Sequence, residues 1–121
     1  MEEIYKENIL DHYRSPHNKK LLKDFDLKGE GKNTSCGDAV VLFIKFGKDG
    51  KVSDVGFEGE GCAISQAATS MLTDKIKGMS LDELKLLSPG DVYDMLGIRI
   101  SPGRTKCALL SYEAVSSALT K

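Results

Sequence analysis

The chain has 121 residues, of which 40% are hydrophobic and 29% are charged, and 17 basic against 18 acidic residues leave a net charge of −1. This composition fits one globular domain over residues 1–121 and argues against disorder. The balanced charge gives no electrostatic reason to expect nucleic acid or an anionic membrane as a partner. No apolar run approaches the ~18 residues of a membrane span, and the acidic start at residues 1–3 is unlike a signal peptide. We therefore expect a cytoplasmic protein.

The first segments predict one helix followed by a polar connection. Apolar and aromatic residues recur at helical spacing over residues 2–14, and Pro16 ends this helix. Residues 15–35 are polar and contain glycines. We expect a loop there, with at most a short edge strand near residues 25–27.

A β-hairpin is the next predicted unit. Residues 40–46 are rich in β-branched and aromatic side chains, and residues 51–57 alternate apolar with polar or small ones. The stretch 47–50 between them reads Gly-Lys-Asp-Gly, a composition typical of turns. Two such runs around a turn are the usual pattern of an antiparallel strand pair.

Helical patterns fill the second half of the chain. Residues 64–76 carry one apolar face, and a capping box at 80–83 opens a short helix to about residue 87. A further turn is predicted at 91–96, then a loop, then a last helix from about Lys106. Strands followed by helices, without alternation, predict an α+β sandwich with an antiparallel sheet.

Three cysteines, Cys36, Cys62 and Cys107, lie at predicted loop or element boundaries. An odd number argues against a disulfide framework. Two of them start predicted helices, where free N–H groups and the macrodipole stabilise a thiolate, and Arg104 and Lys106 add positive charge beside Cys107. Buried inert thiols are the structural alternative, but those usually lie on apolar faces within elements. The placement therefore favours metal binding or sulfur chemistry.

Asp38 is a candidate fourth ligand. In Cys36-Gly37-Asp38 the thiolate and the carboxylate can point to one side if Gly37 adopts an unusual backbone angle. Together with Cys62 and Cys107 they would give three sulfurs and one oxygen, a set that suits tetrahedral zinc or the edge of an iron–sulfur cluster. A turn residue that hydrogen-bonds its own backbone is an equally good interpretation of Asp38 at this point.

These motifs resemble the IscU/SufU family, the NifU-like scaffold and sulfur-acceptor proteins of iron–sulfur cluster assembly. The resemblance covers nearly the whole chain. It rests on the N-terminal segment 5–18, on Cys-Gly-Asp at 36–38, on Gly-Glu-Gly-Cys-Ala-Ile-Ser at 59–65 and on Arg-Thr-Lys-Cys-Ala at 104–108. Three ligand motifs in the same order make it specific.

The resemblance implies a three-stranded antiparallel sheet with helices packed on one side, and a site that holds a transient [2Fe–2S] cluster or a Zn²⁺ ion. It implies Cys36, Asp38, Cys62 and Cys107 as the ligands. A cysteine desulfurase of the IscS/SufS type would deliver persulfide sulfur, and recipient apoproteins or carrier proteins would take the product. The expected role is a scaffold, without catalysis of its own beyond a sulfurtransferase activity, in a monomer or a homodimer.

The sequence departs from both branches of this family. Lys106 stands where the IscU branch has a histidine, and the Leu-Pro-Pro-Val-Lys stretch that recruits a chaperone in that branch is absent. The motifs are more similar to SufU, whose members bind zinc tightly, but SufU proteins typically carry an insertion between the second and third cysteines that this chain lacks. The branch stays open.

Sulfur transfer needs an exposed thiolate, and we expect Cys107 or Cys36 to be the first acceptor. Asp38, a hard oxygen ligand, should bind soft metals less firmly than a fourth thiolate, which fits a site that releases its cargo. A purely structural zinc domain and a cysteine hydrolase are the rival functions. His12 is expected to be a packed residue and His17 a turn residue, since histidine ligands normally recur in clusters.

Overall fold

A computed structural model describes residues 7–33, 37–97 and 105–120. The elements in chain order are α1 (Glu7–Arg14), β1 (Leu27–Asn33), β2 (Asp38–Phe46), β3 (Val52–Glu60), α2 (Ala63–Ile76), α3 (Leu81–Lys85), α4 (Pro89–Leu96) and α5 (Thr105–Leu119). Within the described ranges, none of the helices combines the length and the apolar character that crossing a membrane requires.

The three strands form one antiparallel sheet in the order β1-β2-β3. This confirms the predicted hairpin and the three-stranded sheet that the resemblance implies. Helices α2 and α5 pack on one face of it. The other face is covered by the connection between α1 and β1, where the Phe25 ring lies 5.3 Å from the Phe43 ring between centroids.

The first strand corrects the prediction of a loop over residues 15–35. β1 is a full strand because its glycines face α5 and let the two backbones approach closely. A Cβ on Gly29 would lie 1.9 Å from the carbonyl oxygen of Ala114, and one on Gly31 would lie 2.3 Å from that of Leu110. The glycines that lower the β-propensity of this segment are therefore the residues that allow α5 to pack on β1.

Two apolar clusters fill the interior. One lies between the sheet and helices α2 and α5, and its buried strand residues are Val40, Leu42, Ile44, Val52, Val55 and Phe57. The other joins the helices, and its buried members are Ile9, Ile64, Ala67, Ala68, Val92, Leu96, Cys107 and Ala108. The helical face predicted in residues 64–76 is thereby confirmed, since α2 contributes to both clusters.

The helix boundaries agree with the sequence to within two residues wherever they are described. The capping box of α3 is present: Ser80 Oγ accepts a hydrogen bond from Glu83 N–H at 3.2 Å, and Glu83 Oε1 accepts one from Ser80 N–H at 3.1 Å. Helix α4 starts at Pro89, two residues before the predicted start. The predicted start of the first helix and most of the loop before α5 lie outside the described residues.

Candidate metal centre

One edge of the sheet brings three chain segments together. β1 ends at Asn33, which pairs with Asp38 at the start of β2. β3 ends at Glu60, which pairs with Ala39, so the chain passes Asp38 as it turns into α2. The first turn of α5 reaches the same edge because α5 packs along β1. Strand pairing and helix packing thus converge on the residues around Asp38.

Asp38, Cys62 and Cys107 meet at this edge. Their donor atoms all lie within 4.8 Å of one another. The Cys107 thiol donates to Asp38 Oδ2 at 3.7 Å, and the Cys62 backbone N–H donates to the same oxygen at 3.4 Å. These contacts favour the ligand interpretation of Asp38 over the alternative of a turn residue bonded to its own backbone.

The backbone before Asp38 has the conformation that the motif requires. Gly37 has φ of +73°, in the left-handed region that glycine adopts readily. The condition on the backbone angle of Gly37, under which the side chains at 36 and 38 can point to one side, is therefore met. Cys36, the fourth predicted ligand, lies outside the described residues.

Both described cysteines sit at the starts of helices. Cys62 is the N-cap residue of α2 and its side chain makes no capping hydrogen bond. Cys107 is in the first turn of α5. The partial positive charge at a helix N-terminus stabilises a thiolate, which is the form that binds metal. Two helix termini pointing at one carboxylate and two sulfurs therefore favour an anionic ligand set.

The donor set fits a metal ion. Asp38 is 6% exposed, and a buried carboxylate is costly unless it is paired or coordinates a cation. A sulfur and an oxygen bound to one tetrahedral zinc ion lie about 3.5 Å apart. The distance of 3.7 Å between Cys107 Sγ and Asp38 Oδ2 is close to that value. With small side-chain shifts, Asp38, Cys62 and Cys107 would occupy three of the four ligand positions of a tetrahedral ion.

The model of the NifU-like N-terminal domain family matches residues 4–121 of this chain. The chain belongs to that family. The zinc-dependent sulfurtransferase SufU of Bacillus subtilis is 34% identical, with 100% of this chain and 92% of the relative covered. The iron–sulfur cluster assembly scaffold protein IscU of Thermotoga maritima is 36% identical, over 98% of this chain and 94% of the relative. The family resemblance noted in the sequence is thus confirmed.

Solved structures agree with this family assignment. The SufU protein of Fervidobacterium islandicum AW-1, described as a candidate scaffold for the SUF system, superimposes with a TM-score of 0.73 at 34% identity and covers 96% of both chains. A NifU-like N-terminal protein of Brucella abortus gives a TM-score of 0.76 at 24% identity, which supports the fold alone, over 98% of this chain and 93% of that one. The family fold therefore extends over almost all of the chain.

The accessibility of the two described thiols in this family member differs from the sequence-based expectation. Cys107 is only 5% exposed and packs in the helical cluster, whereas Cys62 is half-buried. The expectation that none of the cysteines lies on an apolar face is therefore wrong for Cys107. Of the predicted flanking charges, Lys106 is exposed and Arg104 lies outside the described residues. Of the two described thiols, that of Cys62 is therefore the more accessible.

Gly61 packs so closely against the site that a side chain would not fit there. A Cβ at this position would lie 2.2 Å from Ser65 Oγ and 2.9 Å from Asp38 Cγ. Ser65 Oγ in turn donates to the carbonyl oxygen of Cys62 at 3.0 Å. The sequence motif contains Gly61, but its contact with a residue more than twenty positions earlier is visible only in the fold.

The substitution Gly61→Ala is expected to weaken metal binding about tenfold or more. The atoms it would displace are ends of side chains, including the Asp38 carboxylate, so the fold should persist while the ligand moves. Zinc affinity by chelator competition checks this. Gly90→Ala is the matched control, since a Cβ there would meet only Ser88 Oγ at 3.6 Å. Equal zinc affinities in the two variants would contradict the assignment of Gly61.

A polar cleft of about 250 Å³ opens beside the site. It is lined by Tyr13, Lys19, Glu60, Gly61 and Gln66. Lys19 Nζ donates to Gln66 Oε1 at 2.9 Å, and Gln66 Nε2 is buried with no hydrogen-bond partner among the described residues. The approach to the site from this side is therefore lined by charged and amide groups.

Proposed function

We propose that this chain is an iron–sulfur cluster assembly scaffold that accepts persulfide sulfur from a cysteine desulfurase, holds a transient [2Fe–2S] cluster and passes it to apoproteins. The observation that carries the proposal is the meeting of Asp38, Cys62 and Cys107 within 4.8 Å at one edge of the sheet. Relatives named IscU scaffold proteins support it, including that of Escherichia coli at 31% identity over 95% of this chain.

Cys36 is proposed as the remaining ligand. It stands two residues before Asp38, and the left-handed Gly37 between them allows both side chains to face one side. Cys36, Asp38, Cys62 and Cys107 would then offer three thiolates and one carboxylate. Thiolates are the usual ligands of iron–sulfur clusters, and one oxygen ligand lowers affinity enough for the cargo to leave.

Sulfur acceptance is proposed to occur at Cys36 or Cys107. The acceptor thiolate attacks the outer sulfur of the desulfurase persulfide, the S–S bond breaks and the desulfurase cysteine leaves as a thiolate. The acceptor becomes the persulfide, so no external oxidant or reductant is needed. Arg104 and Lys106 are proposed to favour the thiolate of Cys107 by their charge.

A zinc-dependent sulfur acceptor of the SufU type is the second candidate. The distance of 3.7 Å between Cys107 Sγ and Asp38 Oδ2 favours it, because it is close to the separation of two ligand atoms on one tetrahedral zinc ion. The Bacillus subtilis relative, a zinc-dependent sulfurtransferase, favours it as well. The alignment with that relative spans 138 positions against the 121 residues here, so the relative has residues without a counterpart in this chain. In this role the residues of the site would bind zinc and relay sulfur without building a cluster.

Metal content and visible absorbance of protein purified without air separate the two candidates. Iron and sulfide with [2Fe–2S] absorption bands support the scaffold, and one tight zinc ion per chain that resists iron reconstitution supports the sulfur acceptor. A sulfur-transfer assay with a desulfurase then compares Cys36→Ser with Cys107→Ser. Full sulfur acceptance in both variants would exclude these two residues as first acceptors.

Replacement of Asp38 with Ala is expected to slow cluster release or zinc exchange several-fold, because the weakest ligand is the one that opens the site. Transfer to an apo-[2Fe–2S] acceptor, or zinc loss to excess chelator, measures the rate. Asp24→Ala removes an exposed carboxylate elsewhere and serves as the control. An exchange rate for Asp38→Ala equal to that of the control would argue against this role.

The cellular setting follows from the same proposal. The partners would be a cysteine desulfurase and recipient apoproteins or carrier proteins, in the cytoplasm, with a homodimer as one assembly state. The family match over residues 4–121 supports treating residues 1–121 as one domain. Co-purification with a desulfurase, and sedimentation of the free chain, test the partner and the assembly state respectively.

A further inference from the structure

A second cluster of metal-ligating side chains lies away from the cysteine site. It consists of His12 on α1, His17 in the turn after α1, and Asp74 near the end of α2, and its donor atoms all lie within 4.8 Å of one another. Asp74 follows Cys62 by twelve residues along α2, a distance of about 18 Å at 1.5 Å per helical residue. The two clusters therefore share no ligand.

The three side chains already face one another. His17 Nδ1 lies 2.5 Å from Asp74 Oδ2, and the two imidazole rings are 4.5 Å apart between centroids. Two donors on one zinc ion with bonds of about 2.0 Å lie about 3.3 Å apart. A small separation of His17 from Asp74 would therefore make room for an ion between all three side chains.

Two of the three candidate ligand side chains, those of His12 and Asp74, are held by a second partner, and His17 is held through its backbone. His12 Nδ1 lies 2.7 Å from Ser70 Oγ, which also accepts the backbone N–H of His17 at 2.7 Å. Asn18 Nδ2 donates to Asp74 Oδ1 at 2.9 Å, leaving Oδ2 toward His17. Metal-binding histidines and carboxylates are typically oriented by such outer hydrogen bonds. The His12 and Asp74 side chains are thus oriented by partners outside the cluster, in addition to being of the right residue types.

The surroundings suit an ion that keeps bound water. His12 is half-buried, while the side chains of His17 and Asp74 are 54% and 42% exposed. Solvent can reach the open side of the cluster and fill the remaining coordination positions.

We propose that His12, His17 and Asp74 form a second metal site that binds a divalent transition-metal ion, zinc or ferrous iron, through two imidazoles and one carboxylate. This donor set is typical of such ions and unlike the oxygen-only sites of calcium and magnesium. A bound ion would tie α1, the turn after it and α2 together. The proposal is independent of the proposed function, because it uses none of the cysteine-site ligands.

A titration of the full chain with Co²⁺ tests the site. Cobalt at the cysteine site gives thiolate-to-metal charge-transfer absorption, whereas cobalt on two imidazoles and a carboxylate does not. We expect two equivalents in the wild type, only one of them with charge transfer. His17→Gln and Asp74→Asn should each lose the equivalent without charge transfer and keep the other, and Asp24→Asn should keep both.

Two results would overturn the second site. One is a single equivalent in the wild type at micromolar cobalt that shows charge transfer, in which case the cluster is only a hydrogen-bonded anchor for the turn. The other is a second equivalent that persists in both His17→Gln and Asp74→Asn. Absence of the charge-transfer band from the wild type, with the other equivalent still bound, would instead count against the cysteine site. Failures of the two assignments are therefore distinguishable. His17 is exposed, so His17→Gln should leave the far-ultraviolet circular dichroism of the chain unchanged.

Discussion

Cys62→Ser is expected to lower the zinc affinity of the chain more than about 100-fold, or about 2.7 kcal/mol. Loss of an outer-shell partner typically costs 10- to 100-fold, so loss of a directly bound thiolate should exceed that range. Chelator competition, with free metal held by a buffer, measures the affinity. Wild-type affinity in Cys62→Ser would remove Cys62 from the ligand set.

The position of Cys62 makes this substitution a clean test. Cys62 is the N-cap of α2, a place where serine is among the preferred residues, so the helix should be as stable or more stable after the change. Cys107 is less suitable because it is buried, and a hydroxyl there would lie in the apolar cluster. Ala63→Ser is the matched control, since it places a hydroxyl on the neighbouring half-buried residue and removes no ligand.

Local patterns in the sequence were sufficient for the hairpin and most of the helices. The turn at 47–50 and the alternation after it specify strand pairing without any distant contact. The capping box at Ser80 and Glu83 likewise depends on residues three positions apart. Elements whose cause is local were therefore predicted within two residues of their observed bounds, except that β3 continues three residues beyond the predicted end at residue 57.

β1 was missed because its cause is not local. Its inward positions alternate with exposed ones, but the buried residues include Gly29 and Gly31, which a β-propensity pattern counts against a strand. The reason for glycine there is the backbone of α5, some eighty residues later in the chain. A Gly-x-Gly alternation next to a predicted sheet is the sequence pattern that would have indicated a strand packed closely against a helix.

The candidate site was predicted in part by residue type and in part by resemblance. Cysteines at helix starts and a glycine before Asp38 indicated a shared site, whereas the identity of the four ligands depended on the family motifs. The burial of Cys107 was not predicted because it arises from α1, α2 and α4 closing over the start of α5. Nothing in the spacing of His12 and His17 points to Asp74, so the sequence does not indicate that these three side chains meet.

Gly29→Ala is expected to destabilise the fold by about 3 kcal/mol or more and to lower its melting temperature by about 10 °C. A Cβ at Gly29 would lie 1.9 Å from the Ala114 carbonyl oxygen and 2.5 Å from the Ala118 nitrogen. Both are backbone atoms of α5, so no side chain can turn aside and the whole helix must move off β1. Thermal and urea unfolding of the two proteins measure the loss.

Gly90→Ala is the matched control for this substitution. Its new methyl group would meet only Ser88 Oγ at 3.6 Å, and alanine is the better helix former, so its stability should equal or slightly exceed that of the wild type. A melting temperature of Gly29→Ala within about 2 °C of this control would show that α5 does not pack on β1 as described.

Gly31→Ala extends the same argument to the metal centre. Its Cβ would lie 2.3 Å from the Leu110 carbonyl oxygen, one helical turn from Cys107. Displacing α5 at that point moves the Cys107 sulfur away from Asp38, whereas Gly29→Ala acts farther along the helix. The two variants should therefore lose similar stability, while Gly31→Ala loses more zinc affinity. Such a difference would tie the glycines of β1 to the function of the site as well as to the fold.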